Sequence, residues 1–160
     1  MSEASATATS VRLMALDLLA QREHSARELQ DKLAARFPEL SVDAVILPVV
    51  EGLREDAVQS DARFSEAYVH YRGSRGVGPL KIAQELRARG IERTLLREAL
   101  AGVDWDARCR EVLLRKFSVR AKAPAAERAR WMRFLAQRGF EAEQVRSALR
   151  QLDQDQDSEA

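Results

Sequence analysis

The segment Leu86-Arg-Ala-Arg89-Gly90-Ile91 recurs 49 residues later as Leu135-Ala-Gln-Arg138-Gly139-Phe140. An offset of 53 residues places Leu33 and Arg36 on Leu86 and Arg89 in the same way. Self-similarity at a fixed period is the sequence signature of a repeat architecture, in which one unit cannot bury its apolar face alone. The chain of 160 residues is therefore predicted to contain three related units with a shared core.

Helical spacing of apolar residues runs through every unit, as Leu13, Leu16 and Ala20 illustrate at steps of three and four. No stretch shows the alternation of a strand. Three helices are expected in each unit, and the clearest are expected near 11–23, 26–36, 105–117, 124–138 and 141–152, with another in the first unit after Ser41.

Helix start and stop signals support these boundaries. Ser25 with Glu28 fits a capping box, and Pro79 suits a first helical turn. Gly90 and Gly139 suit the left-handed residue that ends many helices. Pro48 falls inside the helix expected after Ser41, where it removes a backbone hydrogen bond and predicts a kink.

The predicted fold is all-α, a tandem repeat of three three-helix units stacked into an elongated, curved body. The units are expected at 11–60, 61–103 and 104–152. Residues 1–10 and 153–160 are expected to be disordered tails, because they are short and polar and the second is acidic. Trp105, Trp131, Phe64 and Phe134 are interpreted as packing residues.

Charge is distributed unevenly along the chain, although 26 basic and 25 acidic side chains nearly balance. Residues 1–60 carry 6 basic and 10 acidic side chains, residues 61–103 carry 8 and 5, and residues 104–150 carry 12 and 6. Clustered Lys and Arg attract polyanions and acidic protein surfaces. The second and third units are therefore predicted to face such a partner, unless these are ordinary solvated arginines.

No enzymatic site is predicted. Cys109 is the single cysteine and lies at helical spacing with apolar neighbours, so it is expected to be a buried core thiol. His24 and His70 form no metal-ligand pattern. The glycine-rich segment Gly73–Pro79 lacks the Gly-Lys-Ser/Thr ending of a phosphate-binding loop and is interpreted as a structural turn. No cofactor, metal or membrane segment is predicted, and the protein is expected in the cytoplasm.

The central segment carries a family resemblance. Residues 64–72, 75–82 and 85–91, which read Phe-Ser-Glu-Ala-Tyr-Val-His-Tyr-Arg, Arg-Gly-Val-Gly-Pro-Leu-Lys-Ile and Glu-Leu-Arg-Ala-Arg-Gly-Ile, resemble the signature of the RecX regulatory family. Residues 19–29 resemble the first unit of that family, and the likeness spans about residues 11–152. It implies a regulator that binds RecA recombinase, above all RecA filaments on single-stranded DNA, and suppresses filament extension, ATP hydrolysis and strand exchange.

A hypothetical contact surface for RecA filaments or DNA follows from the charge pattern. Its basic members lie around the central glycine-rich segment and in the third unit, and Tyr68 joins them because its position matches the family. The hypothesis names Tyr68, Arg72, Arg75, Lys81, Arg115, Lys116, Arg128 and Arg130.

A DNA-binding regulator is the alternative function. Helix, Gly-Ile turn and helix over residues 80–101 resemble a helix-turn-helix. Its reading helix would contain Glu92 and Glu98, which repel phosphates, and the pattern recurs at 141–149. Weak, salt-dependent DNA binding without base recognition stays open.

Overall fold

The computed structural model describes residues 3–119 and 122–159, apart from the side chains of Ala4 and Ala6. Nine α-helices and one π-helical turn account for most of this part of the chain, and it contains no strand. The helices are α1 Glu3–Gln21, α2 Ala26–Arg36, α3 Leu47–Glu55, α4 Asp61–Ser74, α5 Pro79–Ala88, α6 Arg93–Ala101, α7 Trp105–Lys116, α8 Ala125–Gln137 and α9 Ala142–Ser158. The all-α prediction is confirmed.

Two compact units emerge from the contacts between residues. These compact units differ from the three predicted repeat units, and from here on they are called the first unit and the second unit. The first unit contains Met1–Ala67 and Leu86–Ala99, and the second contains Tyr68–Glu85 and Leu100–Ala160. The first carries 11 basic and 14 acidic side chains, and the second carries 15 and 11. Their formal net charges are therefore −3 and +4, so the basic surplus belongs to the second unit.

Helices α1, α2 and α3 pack together in the first unit. Their shared core includes Val11, Leu29, Leu33, Ile46 and Leu53, each fully buried. In the second unit α7, α8 and α9 pack on one another. There Trp131, Leu113, Leu135 and Cys109 are buried, which confirms the prediction of a core thiol.

The predicted helix signals occur where the sequence placed them. Ser25 and Glu28 form a capping box, and α5 begins at Pro79. Gly90 and Gly139 have φ angles of 78° and 98°. At each, the two backbone N–H groups that follow the helix donate to carbonyls of its last turn, which is the Schellman arrangement.

Pro48 lies in the first turn of α3, directly after a π-helical turn over Val42–Ile46. The N–H of Leu47 donates five residues back, to the carbonyl of Val42. The Leu47 N–H closes this wider turn one residue before Pro48, which has no N–H to donate. The predicted kink is realised as a π turn followed by a new α-helix.

Both predicted tails need correction over the described residues. Residues 3–10 belong to α1, where Thr7 and Thr9 hydroxyls donate to carbonyls one turn earlier and Val11 anchors the helix in the core. Residues 153–158 continue α9. Asp153 pairs with Arg128, so a tertiary ion pair holds part of the acidic segment in helical form.

Candidate functional site

All eight residues of the hypothetical contact surface lie in the second compact unit. Tyr68 and Arg72 are on α4, Arg75 follows that helix, and Lys81 is on α5. Arg115 and Lys116 end α7, and Arg128 and Arg130 are on α8. The structure separates them into residues with an internal carboxylate partner and residues without one.

Tyr68 and Arg72 share one carboxylate. The Tyr68 hydroxyl donates to Glu85 Oε2 over 2.7 Å. Arg72 donates to both oxygens of Glu85, from Nε over 2.9 Å and from Nη2 over 2.7 Å. This hydrogen-bonded pairing raises the pKa of Arg72 and neutralises its charge locally. Both side chains are partly buried, so they join α4 to α5 instead of presenting a free cation.

Arg128 is also paired. Its two terminal nitrogens donate to the two carboxylate oxygens of Asp153, each over 3.1 Å. The side chain of Arg128 is 25% exposed. Its geometry therefore ties α8 to α9.

A groove in the second unit brings together three of the predicted residues, Arg75, Arg115 and Lys116. It has a volume of about 190 Å³, and its remaining lining residues are Gly76, Val112, Phe134 and Arg138. We call it the basic groove. Four of its seven lining residues are cationic and none is acidic. Among the residues that the structure describes, no carboxylate forms an ion pair with any of these four cations.

Arg138 is the member of the basic groove that sequence reasoning missed. It donates to the carbonyl oxygens of Gly76 over 3.0 Å and Arg75 over 2.7 Å. It thereby fixes the turn that carries the Arg75 side chain. The internal repeat held the signal, since Arg138 is the counterpart of Arg89, but the repeat did not show what either arginine contacts.

Two aromatic rings support the cations beside the groove. Lys116 Nζ lies 5.5 Å from the centre of the Phe134 ring, and the Arg130 guanidinium lies 5.4 Å from that of Phe117. The two rings meet edge to face, with centres 5.3 Å apart. Cations over aromatic faces gain a favourable interaction while staying accessible. Arg130 is therefore linked to the groove through this pair of rings.

Lys81 lies outside the groove, against Gly139, where a Cβ atom would come within 2.5 Å of the Lys81 Cβ and 2.8 Å of its backbone nitrogen. The Lys81 side chain is exposed.

Of the four aromatic residues interpreted as packing, Phe64, Trp105 and Trp131 are buried, whereas Phe134 is only half-buried. Phe134 therefore belongs to the surface feature as well as to the packing.

The described residues offer no metal-binding chemistry. No group of three or more His, Cys, Asp or Glu side chains among them could hold an ion. Burial raises the pKa of Cys109 to about 12, which keeps the thiol protonated at neutral pH and unsuited to nucleophilic attack. No helix in the described ranges is both long and apolar enough to cross a bilayer.

These features define a class of protein, an all-helical protein built of short helices with a basic groove on its surface. Sequence profiles of the first, second and third three-helix domains of RecX match residues 12–47, 60–100 and 104–149. Regulatory protein RecX of Halorhodospira halophila (strain DSM 244 / SL1) is 45% identical over 157 residues, which cover 97% of this chain and 96% of the relative. Regulatory protein RecX of Pseudomonas entomophila (strain L48) is 40% identical over 87% of this chain and 89% of the relative.

Solved structures agree on the fold. A crystal structure of RecX from Lactobacillus salivarius has a TM-score of 0.78 at 19% sequence identity, covering 93% of this chain and 98% of that one. Another, of a regulatory protein RecX, has a TM-score of 0.73 at 19% identity and covers 95% of this chain and 73% of that one. The chain belongs to the RecX family and is a regulatory protein, not an enzyme.

Proposed function

We propose that this protein binds RecA recombinase, above all RecA filaments on single-stranded DNA, and inhibits filament extension, ATP hydrolysis and strand exchange. It would thereby modulate recombination and the SOS response, acting in the cytoplasm. The observation that carries the proposal is the match of three successive RecX domains along one chain. The basic groove adds a physical means of contact, because unpaired cations attract acidic or polyanionic surfaces.

The proposed mechanism uses the repeat. We infer that the three predicted three-helix units, residues 11–60, 61–103 and 104–152, would contact more than one RecA protomer of a filament. Binding then depends on the filament state, since separated protomers offer only part of the contact surface.

Five predicted cations form the proposed contact surface, namely Arg75, Lys81, Arg115, Lys116 and Arg130. Tyr68, Arg72 and Arg128 instead bind carboxylates of the second unit and join its helices, α4 to α5 and α8 to α9. Rim charges mainly govern the association rate and its salt dependence. Loss of the five cations is therefore expected to slow docking, and loss of the other three residues to disturb the second unit itself.

Titration of RecA-catalysed, DNA-dependent ATP hydrolysis with this protein tests the proposal. We expect strong inhibition below one molecule per RecA protomer. A control with excess single-stranded DNA separates filament docking from competition for DNA. Full ATPase activity at equimolar protein would reject the proposal.

The double variant Lys81→Glu with Arg130→Glu tests whether these two residues belong to the contact surface for RecA. Both side chains are exposed, so its circular dichroism and melting temperature should match the parent protein. We expect weaker inhibition from this variant. Unchanged inhibition would remove these two residues from the contact surface.

A DNA-binding regulator, through weak non-specific contacts or a helix-turn-helix, is the second candidate function. It is favoured by the absence of acidic residues from the lining of the basic groove, since phosphates would also be attracted there. Binding to bare DNA that falls steeply with salt and ignores sequence would support the non-specific form. Sequence preference would instead support the helix-turn-helix form over residues 80–101.

A further inference from the structure

The size and lining of the basic groove restrict what it can receive. Its volume of about 190 Å³ is below the roughly 300–1,000 Å³ typical of small-molecule sites. Val112 and Phe134 provide an apolar part beside the four cations. A groove of this size and character suits one large apolar side chain whose chain neighbours are acidic.

The aromatic faces argue against recognition of nucleic-acid bases. Single-stranded nucleic acids are bound largely by stacking bases on exposed rings. Here Lys116 lies over Phe134 and Arg130 lies over Phe117, so a cation occupies a face of each ring. The two rings also contact each other. A base would therefore have to displace a cation to stack on that face, whereas Phe134 still contributes apolar surface to the groove lining.

Charge complementarity favours an acidic ligand strongly. Repeat-equivalent positions differ in charge. Glu28 of the first unit pairs with Arg89, whereas the position 53 residues after Glu28 holds Lys81 and the position 49 residues after Arg89 holds Arg138. Two like charges replace an ion pair. The second unit therefore lacks an internal carboxylate at the place where the first unit has one.

We propose that the basic groove receives an acidic protein segment with one apolar anchor residue, its carboxylates facing Arg75, Arg115, Lys116 and Arg138. The inference rests on the proposed function, because docking onto a protein filament supplies a protein segment as the ligand. Carboxylates paired with arginine form charge-assisted hydrogen bonds, and the apolar anchor adds burial beside Val112.

Fluorescence anisotropy with a labelled peptide, Glu-Asp-Glu-Leu-Asp-Glu-Asp, tests this inference on the full chain. We expect saturable binding, weakened about tenfold when the central Leu is replaced by Ser, since burial of one Leu side chain has that order of effect. An unlabelled single-stranded oligonucleotide of thymidines should displace the peptide poorly at 150 mM salt, a concentration about equal to physiological ionic strength.

Arg115→Glu with Lys116→Glu should weaken peptide binding at least about tenfold. The matched control is Arg146→Glu with Arg150→Glu, which makes the same change in net charge on α9, away from the groove lining. Its affinity should stay within about twofold of the parent. Circular dichroism of both variants confirms folding.

Three outcomes would overturn the inference. They are absence of peptide binding, equal loss of affinity in both double variants, and equal affinity for the Leu and Ser peptides with efficient displacement by the oligonucleotide. The last would assign the groove to nucleic acid. Because this assay contains no RecA, it can fail while inhibition of RecA persists, and inhibition can fail while the peptide binds.

Discussion

The Arg-Gly sequence that ends a helix occurs at residues 89–90 and again at residues 138–139, and each copy packs against the start of another helix. We call these two contacts the first and second junctions, and they are held in different ways. In the first unit, Gly90 lies against Arg27 at the start of α2, and Arg89 pairs with Glu28 over 3.2 Å. Glu28 also accepts from Arg22 and from the backbone N–H of Ser25. The first junction is therefore held largely by side chains around one carboxylate.

The second junction is held by backbone. The N–H groups of Gly78 and Leu80 donate to the carbonyls of Arg138 and Gly139, over 2.7 and 2.9 Å. The Arg138 side chain binds carbonyl oxygens instead of a carboxylate. Backbone bonding removes the need for an acidic residue, which leaves the second junction basic. The same Arg-Gly element is thus paired with a carboxylate in the first unit and keeps its positive charge in the second, where we propose that a partner binds.

Replacement of Gly78 by Ala should break the second junction. A Cβ at this position would overlap the backbone carbon of Gly139 and nitrogen of Phe140, neither of which can move independently of the chain. We expect a loss of about 3 kcal/mol in the free energy of unfolding, measured by urea denaturation. Gly52→Ala is the control, because nothing lies within 4 Å of its Cβ in α3, and it should be neutral or slightly stabilising. Equal stability of the two variants would contradict close backbone packing.

Glu28→Lys tests the first junction by giving it the charge of the second. The change removes half of the capping box and the ion pairs with Arg22 and Arg89. We expect a loss of about 1–2 kcal/mol in the free energy of unfolding, together with a weaker salt dependence of stability. Lys81→Glu, the reverse change, should alter stability by less than about 0.5 kcal/mol. A Glu28→Lys protein as stable as the parent would show that the carboxylate does not hold this junction.

Acid should weaken the first unit through His24. This side chain is buried, its Nδ1–H donates to the carbonyl of Arg22, and its Nε2 accepts from Lys32 Nζ, both over 3.0 Å. Desolvation, followed by the charges of Arg22 and Lys32, lowers the pKa of His24 below its ordinary value of 6.5, against the raising effects of the Arg22 carbonyl and Glu28.

The folded protein therefore binds fewer protons at His24 than the unfolded chain does. Its contribution to stability is complete above pH 6.5 and falls as the pH drops toward the lowered folded-state pKa. His24→Gln, which cannot titrate, should show a flatter profile of unfolding free energy between pH 7 and pH 5. Parallel profiles for the parent and the variant would exclude His24 as the cause.

The rate at which the Cys109 thiol is labelled reports on local opening of the second unit, and it is the smallest effect that we predict. Its thiol is fully buried in α7, with its pKa raised to about 12 by desolvation and by Asp106. A thiol reagent at pH 8 should label the native protein only as fast as the second unit opens. Labelling should accelerate in Gly78→Ala and change little in Glu28→Lys. Equal acceleration in both variants would mean that the two junctions open together.

The sequence predicted most features that depend on local chemistry. The capping box at Ser25, the helix start at Pro79 and the left-handed stops at Gly90 and Gly139 each follow from nearby residues. The buried position of Cys109 followed from helical spacing alone.

Features that depend on residues distant in the sequence were not predicted, or were predicted only in part. The last part of α9 is stabilised by Asp153, which accepts a hydrogen bond from Arg128, 25 residues earlier in the sequence. Charge counting placed Arg72 with Arg115, although only Arg72 has a carboxylate partner. Periodicity identified the helices that carry the basic residues, but the side-chain pairing that divides those residues required the three-dimensional structure.

Binding of this protein to preformed RecA filaments on single-stranded DNA, held in a non-hydrolysable ATP analogue, tests the central claim most directly. The same DNA without RecA and the Arg115→Glu, Lys116→Glu variant serve as the two comparisons. We predict saturable binding to filaments, much weaker binding to bare DNA at physiological salt, and a loss of at least about tenfold in affinity for the variant. Equal affinity for filament and bare DNA, or an unchanged affinity in the variant, would contradict docking through the basic groove.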